Sequence, residues 1–321
     1  MTTQVTTKVL PSVTAVIATR DRPDEVRGAI AAILNQDYPG SIEVVVVFDQ
    51  SEPDPSLAVD SHGGDSPESD APRRSVRIIR NERTPGLPGA RNSGIVSADS
   101  DYIAFCDDDD RWLPGKLRAQ IELLEATDDA VAATSGIVVT FDDKSVNRPA
   151  PTTRIAYSDL LRDRITEAHP STIVCERAAL LDRIGLVDEQ IPGGYGEDYE
   201  WLLRAARDGG LVATVDPLTE VFWHAKSFFD SRWRTIAVAL KWLLERYPDF
   251  ETEPAGLARI EGQIAFAHAA LGERRESLHW ARRALAHDKT ERRSYLAVLV
   301  AMKVVSVERI VRTLHARGRG I

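Results

Sequence analysis

Cysteine is scarce in this 321-residue chain: Cys106 and Cys175 are the only two, and both stand inside apolar stretches. They give no disulfide framework and no cysteine zinc site, and they suit a reducing compartment. Long uncharged apolar runs are also missing. The best candidate, SYLAVLVAMKVVSV (294–307), is too short to cross a bilayer and contains Lys303. The opening MTTQVTTKVLPSV lacks the charged start and apolar centre of a secretory leader, so a cytoplasmic location is expected. Positive charge is in deficit. With 40 Lys and Arg against 49 Asp and Glu, the net charge of −9 argues against a general nucleic-acid binder. The local exception is the tail RIVRTLHARGRGI (309–321), basic and amphipathic, which reads as a solvated helix end or as a peripheral contact with the inner membrane face. Finally, no G-x-G-x-x-G turn follows the first apolar segment. TRDRP stands there instead, against a nicotinamide-binding Rossmann domain.

What is present alternates between strand and helix. The apolar fraction of 43% supports a sizeable core, and the length allows one large domain or a domain with an appendage. Residues 12–19 and the β-branched run 42–49 read as buried strands, as do 75–81 and 102–107. A helix is expected from Pro23 to about Asn35, where Val26, Ile30, Ile33 and Leu34 share a face. PGARNSGIVSA has the small residues of a helix packed closely on a sheet, LPGKLRAQIELLEA is a further helix, and 130–141 adds one or two strands. This alternation implies an open, mostly parallel α/β sheet flanked by helices, with ligands at the carboxyl ends of its strands. Residues 51–72, rich in Ser, Pro, Gly and Asp, should form a mobile surface loop. We divide the chain into an α/β domain, 1–233, and an all-helical appendage, 234–321. Four helices are expected in the appendage, including a tetratricopeptide-like hairpin in AFAHAALGERRESLHWARRALAHD.

Chemistry concentrates in four places. AFCDDDDRW (104–112) ends a buried strand with four carboxylates, whose mutual repulsion would raise their pKa values. Such a run is either a solvated turn or a cation site. As a cation site it offers two D-x-D units for a hard divalent ion, Asp107/Asp109 and Asp108/Asp110. GLPGARNSGI (86–95) allows close backbone approach and places Arg91 to reach a phosphate or base, or else simply caps a helix. GGYGEDYEWLLRAARDGG (193–210) opens a helix with Glu197 and Asp198, which either complement the helix dipole or face a substrate. EVFWHAKS (220–227) ends a strand signal in His224, a structural histidine or a metal or phosphate contact. Trp112, Trp201 and Cys106 read as core residues. Tyr195 either stacks on a sugar or pins the glycine loop, and Trp223 is equally open between site and core.

In order and spacing, VIATRDRP, VVVVFDQS, GLPGARNSGI, YIAFCDDDDRWLPGKL, HPSTIVCERAALLDRIGLVDE and GYGEDYEWLLRAARDG resemble the family 2 glycosyltransferases of GT-A fold, over roughly residues 12 to 228. The resemblance implies inverting transfer of a sugar from a nucleotide-diphosphate donor, with UDP the expected nucleotide and Mn²⁺ or Mg²⁺ as cofactor. It implies that Thr19, Arg20, Asp49, Arg91, Asp107 and Asp108 bind the nucleotide sugar, with Asp49 on the base. It implies Asp109 and His224 on the metal, Asp110 as an alternative ligand, and Asp198 as general base. Tyr195, Glu197 and Trp223 then face the acceptor, a polysaccharide or glycolipid intermediate, with a small molecule or protein as alternative. Two departures stand out: the 51–72 loop lacks the family's helix, and the four-Asp run leaves the metal register ambiguous by one residue. A non-catalytic binding protein on an inactive domain is the competing class. It would have lost Asp109 or Asp198, and both are present. The sequence carries no signal of oligomeric state.

Overall fold

The computed structural model describes residues 10–59, 72–141, 144–223 and 232–315. The α/β part runs β1 (Val13–Thr19), α1 (Pro23–Leu34), β2 (Ile42–Phe48), β3 (Arg74–Arg80), α2 (Leu87–Ser97), β4 (Tyr102–Asp107), β5 (Arg111–Trp112) and α3 (Lys116–Glu125). It continues through β6 (Ala132–Phe141), β7 (Lys144–Arg148), β8 (Arg154–Ile155), α4 (Tyr157–Arg162), β9 (Val174–Glu176), the single turn α5 (Arg177–Ala179), α6 (Glu197–Asp208) and β10 (Leu211–Phe222). Five helices follow among the described residues: α7 (Trp233–Arg246), α8 (Pro254–Ala270), α9 (Arg274–His287), α10 (Arg292–Ala301) and α11 (Val307–His315).

The strands form one sheet in the order β3-β2-β1-β4-β9-β6-β10-β5, with β7 on β6 and β8 on β10. The long ladders β1–β2, β2–β3, β1–β4 and β6–β10 are parallel. The short strand β9 is antiparallel to both β4 and β6 and joins the two parallel parts. Each central strand is apolar on both faces because helices cover both. Val16, Val45, Val47, Ile103 and Phe105 pack with α2 and α6 on one side, while Ala15, Ile17, Val44, Val46, Ala104 and Cys106 pack with α1 and α3 on the other. This two-residue alternation is what a doubly covered strand requires. Helix α2 lies very close to β1: a Cβ built on Gly94 would stand 2.3 Å from Val16 Cγ1. Strand order reverses between β1 and β4, which opens a crevice at their carboxyl ends.

The helical region shares the larger core. Ile236, Leu240, Leu243, Ile260 and Ile264 join the cluster that contains Phe105 and Trp201. Polar ties reinforce the seam: Tyr247 donates to Glu200 at 2.6 Å, Arg207 to Asp249 at 2.7 Å and Arg162 to Glu253 at 3.1 Å. The segment expected as one final helix is two, α10 and α11. The break falls at Lys303, whose φ of 60° is left-handed, and Ser306 restarts the helix by accepting from Arg309 N. Of the expected 51–72 loop, Pro55–Leu57 makes a short turn and Val59 bridges to Val76, while 60–71 lies outside the described residues. No helix of the described residues is long and apolar enough to cross a membrane. The end of the basic tail, 316–321, also lies outside them.

Lys116, at the start of α3, is fully buried with no hydrogen-bond partner on Nζ, which sits 4.2 Å from the Trp112 ring centroid. Burial pulls its pKa down to about 7. The unfolded chain therefore holds more protons than the folded chain above neutrality, so this residue makes stability rise with pH between about 7 and 10. K116M should raise stability at pH 7 by on the order of 2 kcal/mol and flatten that rise. Urea unfolding at pH 7 and pH 9 tests this, and a variant less stable than the parent at pH 7 would refute it.

Candidate active site

The crevice gathers the carboxyl ends of β1, β2 and β4. Asp49, just past β2, accepts from Asn81 Nδ2 at 2.7 Å, Gln50 Nε2 at 2.8 Å and Gly86 N at 3.1 Å. Burial pushes its pKa up, but these donors win and hold it below the usual carboxylate range. Asp49 is thus an ionised fixture that ties β2 to the start of α2. Two non-glycine residues beside the crevice, Asp21 and Gln50, take a left-handed φ of 53°. Such strained backbone tends to accompany functional sites. Arg20 stays exposed at the rim, 3.7 Å from Asp21.

The four-aspartate run is a turn, closed by Asp110 N donating to Asp107 O at 3.1 Å. The turn divides the run into two pairs, and neither pair is a D-x-D unit. Asp108 and Asp109 share Arg22, at 3.0 and 2.8 Å, and Asp108 also accepts from Thr19 Oγ1 at 2.7 Å. Asp107 and Asp110 fall on the other side with His169, one donor atom from each lying within 4.8 Å of the others. Asp110 accepts from Ser171 Oγ at 2.5 Å and from Phe222 N at 3.3 Å. Burial drives Asp110 well above the usual range and Asp108 up to about 6, the latter despite Thr19 and Arg22. Oxygen donors with one imidazole suit Mn²⁺, so the residues present fit a divalent cation.

Arg91 connects this turn to α6. Its buried guanidinium donates to Asp107 at 2.6 Å and, through Nη1, to Glu197. Gly196, at a φ of 79°, caps α6 and lets the chain deliver Glu197 and Asp198 into the crevice. Asp198 accepts from Arg164 Nη2 at 2.7 Å. The two neighbours differ sharply. Burial raises Glu197 in spite of Arg91, whereas for Asp198 burial is overcome by Arg164 and Arg91, which hold it low and ionised. Environments that push adjacent carboxyls apart are how roles are separated. Asp198 is held ionised, and Glu197 is anchored by Arg91.

The structure therefore brings together Thr19, Asp49, Arg91, Asp107, Asp108, Asp109, Asp110, Glu197 and Asp198. Tyr195 lines a cleft with Arg164, Tyr199 and Arg259. Trp223 instead packs against Ile137, Val139 and Val221, with Arg148 4.7 Å above its ring. His224 lies outside the described residues. Trp112 and Trp201 are core anchors, donating to the carbonyls of Ser171 and Gly185. Sequence reading missed four participants: Arg22, Arg164, His169 and Glu189. Arg22, His169 and Glu189 stood inside the quoted motifs VIATRDRP and HPSTIVCERAALLDRIGLVDE without a role, and only Arg164 lay outside them. Glu189 accepts from Arg83 at 2.6 Å, Asn92 at 2.7 Å and Thr84 N at 3.2 Å. Burial raises its pKa, but these donors bring it down to about 2, so Glu189 clamps the loop before α6 onto α2.

An open α/β sheet flanked by helices is the architecture of the GT-A glycosyltransferases, and solved structures share that fold. The chain superposes on S. aureus TarS in complex with UDP-GlcNAc with a TM-score of 0.59 at 14% identity, covering 96% of this chain and 92% of that one. It superposes on the mannosyltransferase PcManGT of Pyrobaculum calidifontis, solved with GDP-Man and Mn²⁺, with a TM-score of 0.54 at 18% identity, covering 96% and 87%. Residues 14–184 match the model of Glycosyl transferase family 2, and the chain belongs to that family. Among curated relatives, the succinoglycan biosynthesis protein ExoO of Rhizobium meliloti is 31% identical over 235 residues, 70% of this chain and 63% of that protein. The Escherichia coli protein WfaP, named as a UDP-Glc:alpha-D-GlcNAc-diphosphoundecaprenol beta-1,3-glucosyltransferase, is 27% identical over 227 residues, 70% and 82%. The chain spans about half to two thirds of the length of the first relatives it matches.

The Arg91 bridge yields a direct test. R91M would leave Asp107 and the buried Glu197 without their shared cation, a loss worth about 3–5 kcal/mol for a buried pair. Urea unfolding should register it, and R91M/E197Q should recover part of the loss. An R91M variant as stable as the parent would rule the bridge out as a structural determinant.

Proposed function

We propose that this chain catalyses metal-dependent, inverting transfer of a sugar from a nucleotide-diphosphate sugar, with UDP as the nucleotide, to a hydroxyl of a polysaccharide or glycolipid intermediate. One observation carries the reading: Arg91 joins an aspartate turn at the end of β4 to Glu197 at the start of α6, next to Asp198, which Arg164 holds ionised across the crevice. Family membership, the activity for which WfaP is named and the UDP-GlcNAc complex of TarS support the choice of reaction and donor.

The division of charge follows from the chemistry. The acceptor oxygen attacks the anomeric carbon from the face opposite the diphosphate, the C–O bond to the nucleotide breaks, and the anomer inverts. Asp198 takes the acceptor proton, a role worth roughly 10²–10⁴ in rate for a well-placed base. Arg91 holds Asp107 and Glu197 so that donor and acceptor carboxylates keep a fixed separation. A bound Mn²⁺ or Mg²⁺ supplies Lewis-acid neutralisation of the departing diphosphate. Asp109 is the favoured ligand on exposure. It is 18% accessible beside the half-exposed Arg22, whereas Asp110 is 2% accessible and already engaged by Ser171 and Phe222. Asp107, Asp110 and His169 form the alternative donor set.

Calorimetric titration of UDP, TDP and GDP, with Mn²⁺ and then with a chelator, tests the donor half. UDP should bind in a metal-dependent way, and D109A should weaken that binding at least tenfold. A loss confined to H169A would move the ion to the alternative set, and indifference to the chelator would give Arg22 the charge-neutralising role. D198N should keep UDP affinity while transfer falls at least 10²-fold. Transfer at a near-normal rate in D198N would sink the base assignment.

A further inference from the structure

We propose that Arg164 and Arg259 form a receptor for a phosphate or diphosphate group on the acceptor, and that Arg164 restrains Asp198 until that group arrives. The inference rests on the preceding assignment of Asp198 as the base.

The two arginines converge from different parts of the chain. Arg164 follows α4 and Arg259 comes from α8 of the helical region, and both line the cleft beside Tyr195 and Tyr199. They flank one ring, with their guanidinium carbons 6.0 and 5.6 Å from the Tyr199 centroid. Arg259 donates through Nη2 to the Tyr199 hydroxyl at 3.0 Å, but its Nε is buried with no hydrogen bond. The carboxylate paired with it, on Asp163, is 3.4 Å away and largely exposed to solvent. Arg293 adds positive field at Tyr195 while pairing with its own Glu291. Clustered guanidiniums with an unspent buried donor favour an anion, and a phosphate accepts bidentate bonds from them more strongly than one carboxylate does.

Arg164 is the more exposed half of the Asp198 pair. Its side chain is 41% accessible, against 11% for Asp198. In its present position the cleft holds about 20 Å³, room for a single water. Turning Arg164 from Asp198 to an acceptor phosphate would open the cleft and remove the largest of the charges that depress Asp198, leaving those of Arg91 and His169. The proton affinity of that carboxylate then rises toward an ordinary value, which makes it a better base. The base is thereby armed by the correct acceptor, and loss of the donor sugar to water is suppressed. This also gives the helical region a role, since α8 supplies half of the receptor.

The test titrates farnesyl diphosphate, inorganic pyrophosphate and farnesol into the full chain, with a chelator present so that no metal-held diphosphate contributes. Diphosphate should bind, R164Q and R259Q should each weaken it at least tenfold, R164K and R259K should retain most of it, and farnesol should show no such dependence. Preference for farnesyl diphosphate over pyrophosphate would identify a lipid-linked group, and equal binding the phosphate alone. Without acceptor, R164Q should hydrolyse UDP-glucose several-fold faster, with the acid limb of its pH profile moved upward. Diphosphate affinity unchanged in both glutamine variants would overturn the proposal. Failure of the glycosyl-transfer reading would appear separately, as absent UDP binding with the diphosphate site intact.

Discussion

The buried guanidinium of Arg91 is the interaction on which the arrangement of the site depends. It sits between Asp107, at the end of a central strand, and Glu197, at the first turn of a helix about ninety residues later. An arginine can do this because its planar fork presents donors in two directions and keeps its charge when buried. A lysine offers one compact point of charge and would serve one partner at the expense of the other. The same bond explains how Glu197 tolerates burial beside Asp198, since two adjacent carboxylates without a cation would both be driven toward protonation.

From that bridge, charge is distributed outward in opposed pairs. Arg22 lies between Asp108 and Asp109, and Ser171 with Phe222 N satisfies Asp110. Arg164 holds Asp198, and Arg83 with Asn92 holds Glu189. The pairs differ in exposure, and this difference separates scaffold from chemistry. Arg91 is buried between two carboxylates, whereas Arg22 and Arg164 are half-exposed. The helical region belongs to this system, because it shares the main core and sends Arg259 and Tyr247 to α6.

Much of the fold was legible because burial writes a period into the sequence. The doubly covered strands β1, β2 and β4 announced themselves as continuous apolar runs, and Gly94 with its small neighbours announced a helix pressed onto the sheet. The split between α10 and α11 was not legible, because an apolar pattern persists through Met302–Val305 and only the left-handed Lys303 breaks the helix. Arg164 was hidden, and the roles of Arg22 and Glu189 were hidden too, although both stand inside recognisable motifs. Single charged residues in loops look like solvated surface until a partner distant in sequence is brought beside them.

The sequence by itself determined the alternation of strands and helices, the crevice at the carboxyl ends, and the residue types gathered there, since each follows from local pattern and charge. The tertiary structure alone decided the pairing. It set Asp107 with Asp110 and Asp108 with Asp109 against the spacing that a D-x-D reading suggests. The physical reason is the turn closed between Asp107 and Asp110, which brings its two ends together and leaves its two central residues, Asp108 and Asp109, on Arg22. It also decided that Asp198 would meet a cation from a distant loop, because electrostatic pairing acts through space and leaves no period in the chain.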